Sequence, residues 1–445
     1  MLQEKIMHYY IGCGKRCAES VLLAGNDVYH LGLSTADAAL LAGVSGGMGG
    51  TGEACGLLSG AVAVLGKLFY EKAGPDFIGI IAEFHRRFAE EFGVTACPPL
   101  KERIATPEAR CSAAVGPFAD MLAGYIAEVQ VKFPTEEKTY APVSADEIKR
   151  VKGLGFLHNK NVPGLFQARI ITRNGKITAQ KAAKIANAAK LFGNGDVTFT
   201  SRMCVELQGI PYEKIDEFRA YLAEEGLETG GTGPKVRPIV SCKGTNCQYG
   251  LIDTFDLSEK IHERFYNGYH NVTLPHKFKI AVGGCPNNCV KPDLNDLGVI
   301  GQRVPKIDYD KCRGCKKCQI EAACPVKNCK VEDGKITHNA EGCNNCGRCI
   351  GKCPFGVFTE ETVGYKVYVG GRWGKRWARA MTIGKIFTSE EEVLNMVEKA
   401  ILFFKEQGLA GERFSDTIQR IGFENVEKEL LSDDILSRKD EILAK

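Results

Sequence analysis

The chain has 445 residues, of which 44% are hydrophobic and 25% charged, with a net charge of +4 at neutral pH. At roughly 100–200 residues per domain this predicts two to four domains, and the balanced charge argues against a nucleic-acid partner. No apolar run of about 18 residues suggests a membrane span, and the start MLQEKIMHYYIGCGKRC lacks the build of a secretory signal.

Residues 1–132 read as an all-helical domain. Ser34 can cap a helix over 36–44, 55–70 is apolar at helical spacing, and Pro75 opens a helix over 77–92. The run Gly46-Gly47-Met48-Gly49-Gly50-Thr51-Gly52 separates the first two helices, and 113–129 is the last. Residues 133–158 are polar, contain two prolines, and read as a linker.

From 159 to 304, and again over 361–410, the pattern is α+β. Strands are expected at 167–172, 197–200, 239–241, 279–282, 298–300 and 365–369, helices at 179–191, 211–225 and 389–407, with Asn174-Gly175 a turn. Residues 305–360 form a cysteine-dense insert with little apolar content. The end, 411–445, is a charged, helix-prone tail, either solvated or packed.

Nineteen cysteines, grouped at two- and three-residue intervals in a long chain without an export signal, read as metal or cluster ligands in a reducing, cytoplasmic compartment rather than as a disulfide framework. In the insert, Cys312-x2-Cys315-x2-Cys318 precedes Cys324-Pro325, and Cys343-x2-Cys346-x2-Cys349 precedes Cys353-Pro354. Three thiolates at this spacing wrap three corners of a cubane, and the fourth corner comes from the Cys-Pro of the other run. One [4Fe–4S] cluster should therefore take Cys312, Cys315, Cys318 and Cys353, the other Cys343, Cys346, Cys349 and Cys324. Two structural zinc sites are the bland rival. The first run has five residues rather than three before Cys324, so Cys329 is either an alternative ligand or a spare core thiol. Arg313, Lys316 and Lys317 beside the first loop are either a dock for an acidic donor or a solvated face.

Two further pairs, Cys242-x4-Cys247 and Cys285-x3-Cys289, each end a predicted strand. Four thiolates from two loops can close a third [4Fe–4S] cluster, with a zinc ribbon as rival. Lys277 and Lys279 alternate with Phe278, so both point to one face of a strand. The segment Leu274-Pro275-His276-Lys277-Phe278-Lys279 and the Gly284-Cys285-Pro286-Asn287-Asn288-Cys289 loop resemble those of the sulfite and nitrite reductase family. So do the Arg169 segment, Thr200-Ser201-Arg202 with Glu206–Ile210, and Gly370-Gly371-x2-Gly374. The likeness covers about 160–400, with a ferredoxin module inserted where dissimilatory reductases carry theirs. It is strong to small anaerobic sulfite reductase subunits built from a single repeat.

That resemblance implies that Cys242, Cys247, Cys285 and Cys289 hold the cluster and that Cys289 also ligates a sirohaem iron. It further implies that Gly370, Gly371 and Gly374 lie beside the macrocycle and that Arg169, Arg202, Lys277 and Lys279 receive a small oxyanion. The expected reaction is sulfite reduction to sulfide, with nitrite reduction to ammonia, or a non-catalytic electron-transfer or redox-sensing subunit, as alternatives. The four cations argue against a mere carrier. An electron donor protein or reductase subunit is expected, and a homodimer or partner chain should complete the site, since this chain holds one of the two halves of larger reductases. Cys204 reads as a packed strand thiol.

In the first domain, Cys17, Gly52-Glu53-Ala54-Cys55-Gly56, Cys97 and Cys111 resemble a small helical family named for its Cys, GCAxxG, Cys, Cys pattern. The likeness implies a cysteine-lined metal or thiol site, with simple core cysteines equally open. Cys13 is a fifth thiol, and the glycine run, with no Lys-Ser/Thr after it, is a helix-connecting turn rather than a phosphate loop.

Overall fold

A computed structural model describes residues 1–134 and 140–444. The chain divides into two compact units, residues 1–139 and 140–445; the stretch 135–139 of the expected linker and residue 445 lie outside the described residues.

The first unit is helical. Its longer helices are Cys17–Tyr29, Gly56–Ala73, Phe77–Phe92 and Val115–Lys132. Phe77–Phe92 shows why they pack: Ile80, Phe84, Phe88 and Phe92 recur every fourth residue and are its buried positions. They meet Phe69, Phe118 and Tyr125 in one core. Ser34 accepts the Asp37 N–H at 3.2 Å as the expected cap, but the helix it starts ends at Ala39 and gives way to turns. Gly47, at φ +74°, could carry no side chain: an added Cβ would lie 2.8 Å from the Cys97 Cβ and the Glu53 carbonyl oxygen.

In the second unit, the strands β1 (Phe156–His158), β2 (Leu165–Ile170), β3 (Val197–Phe199) and β4 (Val205–Pro211) form an antiparallel sheet in the order β1-β2-β4-β3. Helices Ala179–Phe192 and Ile215–Ala223 share a core with it around Phe166, Leu207, Phe218 and Leu222. The linker reading of 133–158 needs correction. Residues Ala145–Gly153 form a helix capped by Ser144, and its Val151 is fully buried in this core. The polar residues that suggested a linker are the outer face of an amphipathic helix.

The larger sheet contains β5 (Val240–Ser241), β6 (Ile280–Gly283) and β7 (Leu297–Ile307). After the small hairpin β8 (Cys329–Glu332) and β9 (Lys335–His338) come β10 (Phe358–Val369) and β11 (Met381–Phe387), giving the order β11-β10-β7-β6-β5. Strands β5, β6 and β7 are parallel, while β10 and β11 add antiparallel. The pairing of β7 with β10 runs from Leu297↔Val369 to Phe358↔Ile307, past both edges of the insert expected at 305–360. The cysteine-dense segment therefore hangs from the end of a long hairpin, closed by Asp308 N–H to the Val357 carbonyl at 2.9 Å.

Helix Glu390–Gln407, capped by Ser389 as its N-terminal chemistry predicts, packs against this sheet. Of the two readings of the C-terminal segment, the packed one holds over residues 411–444. Phe414, Ile418, Val426, Leu430, Ile435 and Ile442, from four short helices, are all 0% exposed in the same core.

Candidate active site

Strand β2 turns Phe166, Ala168 and Ile170 into its core and leaves Arg169 on the other face, opposite Glu206 of β4. Arg169 pairs with that carboxylate at 2.6 Å and donates to the Gly231 carbonyl at 3.1 Å. Arg202, in the turn between β3 and β4, donates to Asn295 Oδ1 and the Pro238 carbonyl, both at 2.7 Å. Phe278 is fully buried, its ring 5.3 Å from that of Phe414. Val236 bridges it in parallel, so Lys277 and Lys279 emerge together on the opposite side.

These four cations line a single cavity of about 170 Å³, with Arg237, Cys204, Gly231 and Pro238. Arg237 was not expected. It flanks the buried Val236, and alternation in Lys235-Val236-Arg237 was its only signal in the sequence. Cys204 is buried but stands just ahead of β4 rather than in it, and it also faces the cavity. Among the described residues no carboxylate lines it. The larger cavity of about 490 Å³, beside Arg173, Asp253, Asp256 and Glu259, mixes both signs of charge and has no such bias toward anions.

Burial and the neighbouring Arg202, Arg413 and Lys277 push the Lys279 ammonium down to about 8. Burial, with smaller contributions from neighbouring guanidinium groups, holds Arg202 and Arg237 at about 10, still cationic at neutral pH. Their Nε atoms are buried and have no hydrogen-bond partner among the described residues. An anion in the cavity would offset both the crowding of charge and the orphaned donors. The donor set thus fits a small oxyanion or the carboxylates of a cofactor rim. Two carboxylates outside the lining offset part of its charge: Glu206 pairs with Arg169, and the fully buried Asp296 supports the charges of Arg202 and Lys279 while held by Arg413 at 2.9 Å.

The paired cysteine loops leave adjacent parallel strands, β5 and β6. Cys242 N–H donates to the Val282 carbonyl at 3.0 Å, and Cys242 Sγ accepts the Gly284 N–H at 3.1 Å. The Cys285 thiol is pushed up by burial and by the nearby Cys242, Cys289 and Cys247 thiols, so all four gather. Only glycines let the loops approach so closely: a Cβ on Gly284 would lie 2.8 Å from the Gly244 Cα. Asn295, the partner of Arg202, also meets the 370–380 loop, where a Cβ on Gly371 would lie 2.4 Å from its carbonyl oxygen. Gly370 has φ +84° and faces Ile418, while Gly374 lies open, with no close approach that requires a glycine.

In the insert, Cys312, Cys315, Cys318 and Cys353 line one small cavity, the crossed set that the spacing suggests. The Cys343 thiol lies near Cys349, Cys346 and Cys324. Cys329, on β8, is buried close to the Cys349 and Cys324 thiols, and its neighbourhood holds the Cys349 thiol below the ordinary range. Both candidates for the fourth ligand are therefore at hand. Among the described residues no three His, Cys, Asp or Glu side chains are close enough to hold one metal ion; a cubane keeps its four thiolates further apart than a single ion does. In the first unit Cys17, Cys55, Cys97 and Cys111 also approach one another, while Cys13 is exposed beside His8.

Residues 232–436 match the nitrite and sulphite reductase 4Fe-4S domain and 158–225 the nitrite/sulfite reductase ferredoxin-like half domain. Residues 15–125 match the family described as "Putative redox-active protein (C_GCAxxG_C_C)". The chain is 31% identical to the coenzyme F420-dependent sulfite reductase of Methanocaldococcus jannaschii over 62% of its own length and 42% of that protein's. It is 26% identical to the dissimilatory-type sulfite reductase subunit alpha of Allochromatium vinosum, over 56% and 64% of the two chains. To a subunit of the anaerobic sulfite reductase of Salmonella typhimurium it is 28% identical, over 54% and 74%. No helix among the described residues is long and apolar enough to cross a membrane. Over residues 158–436 the chain thus belongs to the nitrite and sulfite reductases, an oxidoreductase family, and it carries a C_GCAxxG_C_C domain ahead of that module.

Proposed function

We propose that this chain reduces sulfite to sulfide in the cytoplasm. The observation that carries the reading is the cavity lined by five cations and, among the described residues, no carboxylate. Cys242, Cys247, Cys285 and Cys289 would hold a [4Fe–4S] cluster, Cys289 would bridge to a sirohaem, and Gly370 and Gly371 would give its edge close backbone. When bound, that pair would supply the sulfur-binding iron and the electrons. The side chains do the rest. Arg202 and Arg237 offer their unpartnered Nε–H groups to the oxyanion and Arg169 adds its charge. Lys277 and Lys279 add point charge, and the lowered Lys279 gives up a proton readily to an oxygen leaving as water.

Electrons would reach the site through two further clusters in the insert, held by the crossed cysteine sets. The contact of its second cysteine loop with the body supports this route. Arg348 lies 4.7 Å over the ring of Tyr249, close in sequence to Cys247, and Arg303 on β7 bridges Cys346. A second copy or a partner chain would complete the site; the relatives include proteins named as subunits, and light scattering of the holo-protein tests it.

Protein purified without oxygen should show macrocycle absorption bands beside the clusters and should oxidise reduced viologen on sulfite, releasing sulfide. Clusters without a macrocycle, or nitrite turnover with none on sulfite, would overturn the proposal.

A further inference from the structure

We infer that the first unit contains an iron–sulfur cluster site of its own, held by the thiolates of Cys17, Cys55, Cys97 and Cys111 and independent of the reductase reading. The four residues come from four distant stretches of chain, and specific contacts draw them together. Ala54 and Ala96 form an antiparallel bridge, with Cys55 N–H donating to Thr95 O at 2.7 Å and Cys97 N–H to Glu53 O at 2.9 Å. Cys55 and Cys97 flank that bridge and so project from the same face of it.

Cys17 packs directly on Gly56, where an added Cβ would lie 2.2 Å from the Cys17 Sγ. Gly56 is thus the space the thiol needs beside Cys55, and Gly47 plays the same part for Cys97. Cys111 is tied in through its neighbour. Arg110 stacks 3.9 Å over the ring of Tyr10 and donates to the carbonyls of Tyr10 and Lys15 at 2.7 and 3.2 Å, and the Tyr10 hydroxyl accepts the Cys111 N–H at 3.3 Å. The Cys55 thiol lies within electrostatic range of Cys17 and Cys97, and Cys97 within range of Cys17 and Cys111.

Charge suits the assignment. Cys17 and Cys97 are the first residues of their helices and Cys55 is the N-cap of an 18-residue one, so positive helix ends face a group that is anionic once the thiols ionise. Four-thiolate sites take iron–sulfur clusters or zinc. Zinc sites use closely spaced cysteine pairs, and this set has none. Cys55 and Cys97 are only 7% and 9% exposed, so two of the four thiols are shielded from the exchange that an open dithiol site undergoes.

The test uses the full chain, purified without oxygen and loaded with ferrous iron and sulfide. C97S and C111S should each lose about two to four iron atoms with matching labile sulfide per chain, and C13S none. Because each count is a difference from wild type, empty reductase clusters cannot imitate either result. Alkylation of the wild type provides a reading that needs no variant: the partly exposed Cys17 and Cys111 should label only after a chelator strips the iron. Folded variants that keep the wild-type iron and sulfide, loss of zinc instead of iron, or equal labelling with iron present would overturn the site.

Discussion

Replacing Lys279 by methionine should lower sulfite affinity and remove one limb of its pH dependence. A hydrogen bond to a charged partner contributes about 1.5–3 kcal/mol, which at about 1.4 kcal/mol per decade is a ten- to hundredfold loss. The loss is partial because Arg169, Arg202, Arg237 and Lys277 remain. The pH profile is the sharper reading. Lys279 is lowered to about 8, so wild-type affinity should be level near neutrality and fall as pH rises through the region of 8, where the ammonium is lost. In K279M that fall should vanish. The sign for stability is opposite. A lysine with a depressed folded pKa opposes folding while it is protonated, and that penalty fades as pH rises from about 8 toward the ordinary 10.5. K279M should therefore melt no lower than wild type at pH 7, separating weak binding from poor folding. Calorimetric titration with sulfite from pH 6 to 9, beside viologen-linked turnover, measures both. An unchanged alkaline fall in K279M, or an affinity equal to wild type, refutes the reasoning.

Three further outcomes are expected. R413M strands the buried Asp296 carboxylate, which should cost about 3–5 kcal/mol in denaturant unfolding at pH 7; the deficit should narrow in acid, because burial raises that carboxyl and protonation removes the stranded charge. G284A forces a Cβ toward the Gly244 Cα, holds the paired cysteine loops apart, and should remove about four iron atoms per chain. C353S should abolish the electron-paramagnetic signal of the cluster on Cys312, Cys315 and Cys318, while C324S against C329S identifies the fourth ligand of the other by which one loses about four iron atoms.

What could be read from the sequence follows from how local each signal is. The helix at 77–92 announced itself because its phenylalanines recur at the helical period, and Lys277 and Lys279 because one buried phenylalanine separates them. Arg237 was missed because its place in the cavity depends on crossing segments far apart in the chain. The sequence leaves the helices after 411 open between solvated and packed for a related reason: their apolar residues are few per helix, and only the body of the domain gives those short faces something to cover. The full length of β7 and β10 was obscured because the polar residues of their outer halves, such as Arg303 and Glu360, pair across the hairpin rather than entering a core.

The hairpin has a consequence for how such a protein can change over time. Everything between Ile307 and Phe358 leaves and returns at adjacent rungs of one ladder, so a lineage could shorten that excursion, exchange it or lose it without shifting the register of the sheet behind it. If the insert carries electrons as proposed, the supply of reducing power could be refitted to whatever donor a cell provides, while the basic hollow behind it stays as it was.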